Sequence, residues 1–240
     1  MNNIKYIILA LLAMVCVVSC SKDNYAAPAE TFTGAFVEKG TGKPFQTAIG
    51  NTGIRIRMME YSWSDNPIPY DTYAKQDGTF NNTKIFKGDY GITPEGAFVA
   101  LPEEKISISG VVNKTYEVEP LLKVEWIGNP VVNADRTVTV KVKITRGTDN
   151  ADYQQPLEKA WLFISETDYV GDFSYSPNFS LNLAANQISL DQELTFTTKK
   201  AFPEYSRKYF LRFGAKTTKN FSNVERYNYT PIVEISTSAK

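Results

Sequence analysis

The sequence has no histidine among its 240 residues and only two cysteines. Without histidine there is no Ser-His or Cys-His pair to activate a nucleophile. Zinc is disfavoured, because its sites lean on imidazole or on several thiolates. No G-x-S-x-G elbow and no G-x-x-x-x-G-K-[ST] loop occurs. Paired carboxylates stay chemically open, as in glycosidases, but 26 acidic residues single out no pair. The expectation is a protein that is not an enzyme, with no catalytic residue, no metal and no cofactor. An excess of one charge is missing too, since 26 basic residues balance the 26 acids. No basic face follows, so nucleic acid is a poor partner. Sustained helical periodicity, low-complexity tracts and internal repeats are also absent.

Cysteine is confined to Cys16 and Cys20, and the one long apolar run lies in the same segment. Lys5 is the only charge ahead of Cys20, and residues 6–18 are uninterruptedly apolar or small. That run is shorter than the about 20 residues a bilayer span requires. It fits the apolar core of a secretory signal, about 7–15 residues long. Val17-Val18-Ser19-Cys20 resembles a lipobox. The resemblance implies a signal peptide at 1–19, cleaved before Cys20, with lipid on that cysteine as a membrane anchor. The competing reading, an ordinary signal that leaves Cys20 as a free thiol, puts an unusual unpaired cysteine in a secreted chain. Ser21-Lys22-Asp23-Asn24 resembles the surface-export signals of Bacteroidetes lipoproteins. This implies the outer membrane, facing the cell exterior. Past Cys20 no internal disulfide is possible, so ordinary cores must hold the fold. Losing Lys5 leaves the mature chain with one acid in excess.

Residues 20–31 are small, polar and aperiodic, and read as a flexible tether. From Phe32 the pattern becomes β. Ile54, Ile56 and Met58 alternate with Arg55 and Arg57, the period-two mark of a half-buried strand. Further short strands are expected at 32–38, 79–80, 90–93, 104–109 and 115–119. The ordered motifs Thr41-Gly42-Lys43-Pro44, Asp77-Gly78-Thr79-Phe80 and Gly88-Asp89-Tyr90 resemble the carboxypeptidase regulatory-like, or transthyretin-like, β-sandwich over residues 32–120.

A second domain is expected at 121–240. Val138, Val140, Val142 and Ile144 alternate with Thr139, Lys141, Lys143 and Thr145. Residues 159–164 are apolar on both faces, as in a central strand. Other strands are expected at 122–127, 179–183, 193–198, 208–216 and 231–236. Seven short strands separated by turns suggest a sandwich. Lacking cysteines, it resembles fibronectin type III more than a disulfide-bonded immunoglobulin domain. The fold class is thus all-β, with two tandem β-sandwiches behind a signal peptide and tether.

Across the mature chain, several motifs resemble a family of Bacteroidetes lipoproteins known only as a domain of unknown function. They include Asp23-Asn24-Tyr25, Gly53-Ile54-Arg55-Ile56-Arg57, Asp77-Gly78-Thr79-Phe80 and Glu95-Gly96-Ala97-Phe98. Leu162-Phe163-Ile164-Ser165, Tyr169-Val170-Gly171 and Arg226-Tyr227-Asn228-Tyr229-Thr230-Pro231 continue the match. Genes of that family tend to lie beside outer-membrane glycan importers of the starch-utilization type. The resemblance implies a surface glycan-binding accessory and transfers no catalytic residue.

Residues 61–73 read as a surface loop, with two prolines among polar residues. Its Trp63, Tyr70 and Tyr73 are candidates to stack on sugar rings, and Asp65, Asn66 and Asp71 to bind sugar hydroxyls. Tyr169, Phe173 and Tyr175 form a second candidate group. The bland alternative for all of them is capping of a sandwich end or contact with the neighbouring domain. Tyr227 and Tyr229 beside Arg226 read as structural, and Trp126 and Trp161 as core. Asp149, Asn150 and Asp152 read as a solvated turn rather than a calcium loop. Two functions compete. One is a non-catalytic glycan-binding lipoprotein with a polysaccharide ligand and an outer-membrane importer complex as partners. The other is a structural or adaptor lipoprotein with no glycan site of its own.

Overall fold

The structure is a computed structural model that describes residues 26–219 and 221–238. Cys20, the signal segment and the start of the tether lie outside these residues. The chain is all-β, with two tandem sandwiches.

The first sandwich uses β1 (Glu30–Glu38), β2 (Arg55–Glu60), β3 (Tyr70–Tyr73), β4 (Thr79–Ile85), β5 (Gly88–Glu95), β6 (Glu104–Ile108) and β7 (Val111–Val118). Glu30 and Thr31, read from sequence as the end of the tether, already belong to β1. One sheet has the order β4-β1-β7 and the other β3-β2-β5-β6. Phe32, Phe36, Phe80 and Tyr116 from the first sheet meet Ile56, Met58, Ile92 and Ile108 from the second, with Ile54 just ahead of β2 in the same core. The alternation of β2 therefore does what its pattern predicts. The Asp77-Gly78 turn has a local cause. Asp77 Oδ1 accepts from Thr79 N at 3.0 Å and Thr79 Oγ1 at 2.7 Å. Gly78 takes a φ of +78°, and a Cβ there would meet Phe45 O at 2.5 Å, so only glycine fits.

Register assigns the two ends of this sandwich. Glu30 pairs with Ile85, Thr31 with Val111, Gly88 with Ile108 and Glu60 with Tyr90. The chain entry, the 61–69 loop, the Phe86-Lys87 turn and the Gly110 turn therefore share one end. The opposite end carries Glu38, Arg55, Tyr73, Glu95 and Val118, and it is the end that meets the second domain.

The second sandwich contains β8 (Leu122–Trp126), β9 (Val131–Val132), β10 (Val138–Arg146), β11 (Leu157–Ser165), β12 (Leu181–Ala184), β13 (Glu193–Thr197), β14 (Arg207–Thr217), β15 (Asn228–Tyr229) and β16 (Val233–Thr237). β13-β10-β8 faces β12-β11-β14-β15, with β9 beside β10 and β16 beside β14. The four alternating apolar residues of β10 enter the core between the sheets. β11 is apolar on both faces because both are covered. Ala160, Leu162 and Ile164 point into the sandwich. Trp161 and Phe163 join a separate cluster with Val170, Tyr227, Tyr229 and Ala48, the last from the first domain. This cluster turns the outer face of a sheet into a domain junction.

Candidate functional site

Within the apolar centre of strand β14, residues 209–215, the one charge is Arg212, which is fully buried (0% exposed). Alternation directs Arg212 away from the sandwich core and toward the first domain. Its guanidinium donates to Thr230 O at 3.1 Å within its own domain. Across the junction it donates to Thr47 O at 2.8 Å and Gln76 O at 3.0 Å. Longer bonds of 3.4 Å reach Gln46 Oε1 and Gln76 Oε1. Its plane lies over the Tyr229 ring, 4.3 Å from the centroid. Burial lowers its pKa to about 10, which still leaves it charged at neutral pH. Burial also holds the Tyr229 phenol well above its ordinary value. Tyr229 stays protonated and donates to Asp172 Oδ1 at 2.8 Å.

Gln76 completes the junction. Its Nε2 donates to Asp168 O at 3.0 Å, and its Oε1 accepts from Val170 N at 3.1 Å. The 168–170 segment of the second domain is thus held against the 74–77 segment of the first. Between them opens a cleft of about 600 Å³. Gln46, Tyr73, Lys75 and Asp77 line it from one domain, Asp168 and Tyr169 from the other.

Tyr73 and Tyr169 are 38% and 51% exposed, so their rings are available. Tyr73 is oriented by its hydroxyl, which donates to Asn51 Oδ1 at 2.8 Å. Tyr169 packs edge-on against Phe173, with centroids 5.3 Å apart. The Asp77 carboxyl feels burial, which raises its pKa. The hydrogen bonds from Thr79 and the field of Lys75 outweigh that, and it lies below the ordinary carboxylate value. Asp77 is therefore an ionised acceptor and not the proton donor a glycosidase needs.

Of the candidates from sequence, the structure brings Tyr73 and Tyr169 to this one cleft. Trp63 and Asp65 stand in the exposed 61–69 loop at the far end of the first sandwich. Tyr70 and Tyr73, expected in a loop, belong to edge strand β3, paired with Met58 and Arg55. Tyr70 covers the side of the sandwich, its hydroxyl accepting from Asn82 Nδ2 of the opposite sheet at 2.8 Å. Asp71, expected to meet sugar hydroxyls, instead receives two bonds from Arg57, at 3.0 and 3.1 Å. Phe173 and Tyr175 are partly buried in the junction cluster, with Tyr175 5.2 Å from Trp161 and 5.5 Å from Phe163. Arg55 bonds Glu95, which also binds Arg226 at 2.6 Å across the junction. Tyr227 and Tyr229 are buried, and Asn150 caps a short turn through Asp152 N.

A second opening of about 530 Å³ lies on the junction, lined by residues including Trp126, Lys43 and Glu125. There the Trp126 indole N–H is committed to Pro231 O at 2.8 Å, and a Lys43–Glu125 ion pair of 3.6 Å links the two domains. Its lining offers no exposed aromatic ring, since Trp126 is partly buried and Tyr229 is buried. The Tyr73–Tyr169 cleft is the better candidate. Gln46, Gln76 and Asp168 were not visible in the sequence, because each is an ordinary turn residue until the domains meet.

Fold and junction define a class: a two-domain all-β protein whose sandwiches share a polar, aromatic interface. The N-terminal domain of a family described as a protein of unknown function, DUF3823, matches residues 30–119. Its C-terminal domain, also of unknown function, matches residues 127–234. The chain belongs to the DUF3823 family.

A solved DUF3823 family protein from Bacteroides uniformis is 30% identical, with a TM-score of 0.77 over 89% of this chain and 100% of that one. A candidate carbohydrate binding protein from the same species is 19% identical, with a TM-score of 0.69 over 88% and 100%. A DUF3823 family protein from Parabacteroides merdae is 16% identical, with a TM-score of 0.65 over the same shares. No curated protein matches the chain.

Proposed function

We propose that this chain is a non-catalytic glycan-binding lipoprotein, anchored through Cys20 to the outer membrane and facing the cell exterior. Its ligand is a polysaccharide, and it serves an outer-membrane glycan importer. The observation that carries the glycan reading is the convergence of Tyr73 and Tyr169, one from each domain, on the junction cleft. A pyranose has one face of C–H groups that packs on a tyrosine ring, while its hydroxyls need short polar partners such as Gln46, Asp77 and Asp168. The solved relative described as a candidate carbohydrate binding protein supports the same reading. Two carboxylates against one lysine make the cleft mildly acidic, so a neutral glycan suits it better than a uronate-rich or sulfated one.

Isothermal calorimetry against a panel of neutral and acidic polysaccharides tests this. Binding to a neutral member is expected. Tyr73→Ala and Tyr169→Ala should each weaken it roughly tenfold, about 1.4 kcal/mol. Both residues are exposed, so neither change should shift the unfolding midpoint appreciably. Failure of every polysaccharide to bind, or full affinity in both variants, sinks the reading.

A further inference from the structure

The end of the first sandwich where the chain enters is apolar in an uneven way. Trp63 is 64% exposed, Ile68 90%, Phe86 46% and Val111 74%. Register places all four at the Glu30 end: two in the 61–69 loop, one in the Phe86-Lys87 turn and one beside the Gly110 turn. Gly110 is itself tied to the entry point, its N–H donating to the Glu30 carboxylate. Lys84 and Lys87, both exposed, flank Phe86.

We propose that this end is a membrane-contacting face. Trp63, Ile68, Phe86 and Val111 rest in the headgroup region of the bilayer to which the lipid on Cys20 holds the chain. The proposal rests on the anchor in the preceding reading and not on the ligand of the cleft. Chain length argues for it. Cys20 lies ten residues before Glu30, so even a fully stretched link spans no more than about 36 Å. The first sandwich is itself about 30 Å long, judged from nine-residue β1. A link of that length keeps the entry end within reach of the headgroups, and the apolar groups exposed there single it out as the end that meets them.

The chemistry matches an interface. Tryptophan settles at headgroup depth, phenylalanine and isoleucine bury just below it at the acyl boundary, and lysine stems lie along apolar surface while their ammonium groups reach phosphates. Asp65, in the same loop, keeps the contact shallow, because a carboxylate is costly in hydrocarbon. The arrangement stands the first sandwich on the membrane as a pedestal. The glycan cleft then sits at its far end, about one strand length above the lipid.

The test uses the full lipidated chain, with lipid on Cys20 verified by mass, in vesicles of phosphatidylethanolamine and phosphatidylglycerol. Some vesicles carry brominated acyl chains, which quench nearby tryptophan. Subtracting the emission of Trp63→Phe isolates Trp63 from Trp126 and Trp161, which lie in the second domain. The expected result is loss of most Trp63 emission in brominated vesicles, and recovery of it in an Ile68→Ser/Phe86→Ser double variant that still floats with the vesicles. Unquenched Trp63 in a chain that floats overturns the proposal while leaving the anchor intact. Trp63 shielded from iodide yet unquenched by bromine gives the patch to a second copy or another protein, and also overturns it. A chain that does not float overturns the anchor and this proposal together. Trp63→Phe is expected to keep full glycan affinity, and a loss there would move Trp63 into the sugar site and overturn the membrane contact.

Discussion

Arg212→Met is expected to cost about 2–4 kcal/mol of stability and to uncouple the two sandwiches. Methionine fills much of the same volume but donates nothing. Thr47 O and Thr230 O lose the guanidinium donor at 2.8 and 3.1 Å. A buried polar group stripped of its partner costs about 1–3 kcal/mol. Part of the loss is offset, because a buried cation no longer needs desolvation. Arg212→Lys should rescue little, since one ammonium cannot reproduce a planar fork that reaches both domains. Urea unfolding followed by fluorescence reads the uncoupling. Trp63 reports on the first domain, and Trp126 and Trp161 on the second. One transition should become two, with Tyr73 and Tyr169 no longer held across one cleft and glycan affinity reduced. Wild-type stability with a single transition would contradict the role given to Arg212.

The second large effect concerns Glu95, which lies between Arg55 and Arg226. Burial favours its neutral form. The attraction of Arg226 and the hydrogen bonds from Arg55 and Arg226 outweigh this, so its pKa falls below the ordinary value. The sign follows. A depressed folded pKa gives stability that is complete above the unfolded value, about 4.3, and is lost as pH falls through the lower folded one. Glu95→Gln removes the charge at every pH and leaves the nearly buried Arg226 without its carboxylate. Breaking such a pair costs about 3–5 kcal/mol when fully buried. Glu95 keeps 21% of its side chain exposed, which reduces the expectation to about 2–3 kcal/mol through solvent screening. Unfolding free energies measured from pH 7 down to pH 3 check both parts. The variant should be less stable at pH 7 and lose less on acidification. Equal acid slopes for the two proteins would remove Glu95 from the account.

Much of the fold was legible because burial writes itself into period-two patterns. β10 showed this cleanly, since one face is core and the other is solvent. β11 was legible as a central strand for a different reason: its second face is buried under the domain junction. Strand β3 was missed. Pro67 and Pro69 precede it, and as a four-residue edge strand it buries too little to show alternation.

The site was less legible. Tyr73 and Tyr169 were visible as aromatics, but nothing local says that they share a cleft while Trp63 lies a domain length away. Gln76 bonds Asp168 across 92 positions of sequence, a relation no window of residues contains. Arg212 did leave a signal, a lone charge between Leu211 and Phe213 in the apolar 209–215 stretch of β14. Such a residue is rarely buried without dedicated partners, and Arg212 finds them in Thr230 O of its own domain and in Thr47 O and Gln76 O of the first.

A crystal structure of the chain with an oligosaccharide cut from the polysaccharide it binds tests the central claim most directly. The account predicts sugar rings against Tyr73 and Tyr169, with hydroxyls within hydrogen-bond distance of Gln46, Asp77 or Asp168. Sugar bound at the Trp63 loop or beside Trp126, with the Tyr73–Tyr169 cleft empty, would contradict it.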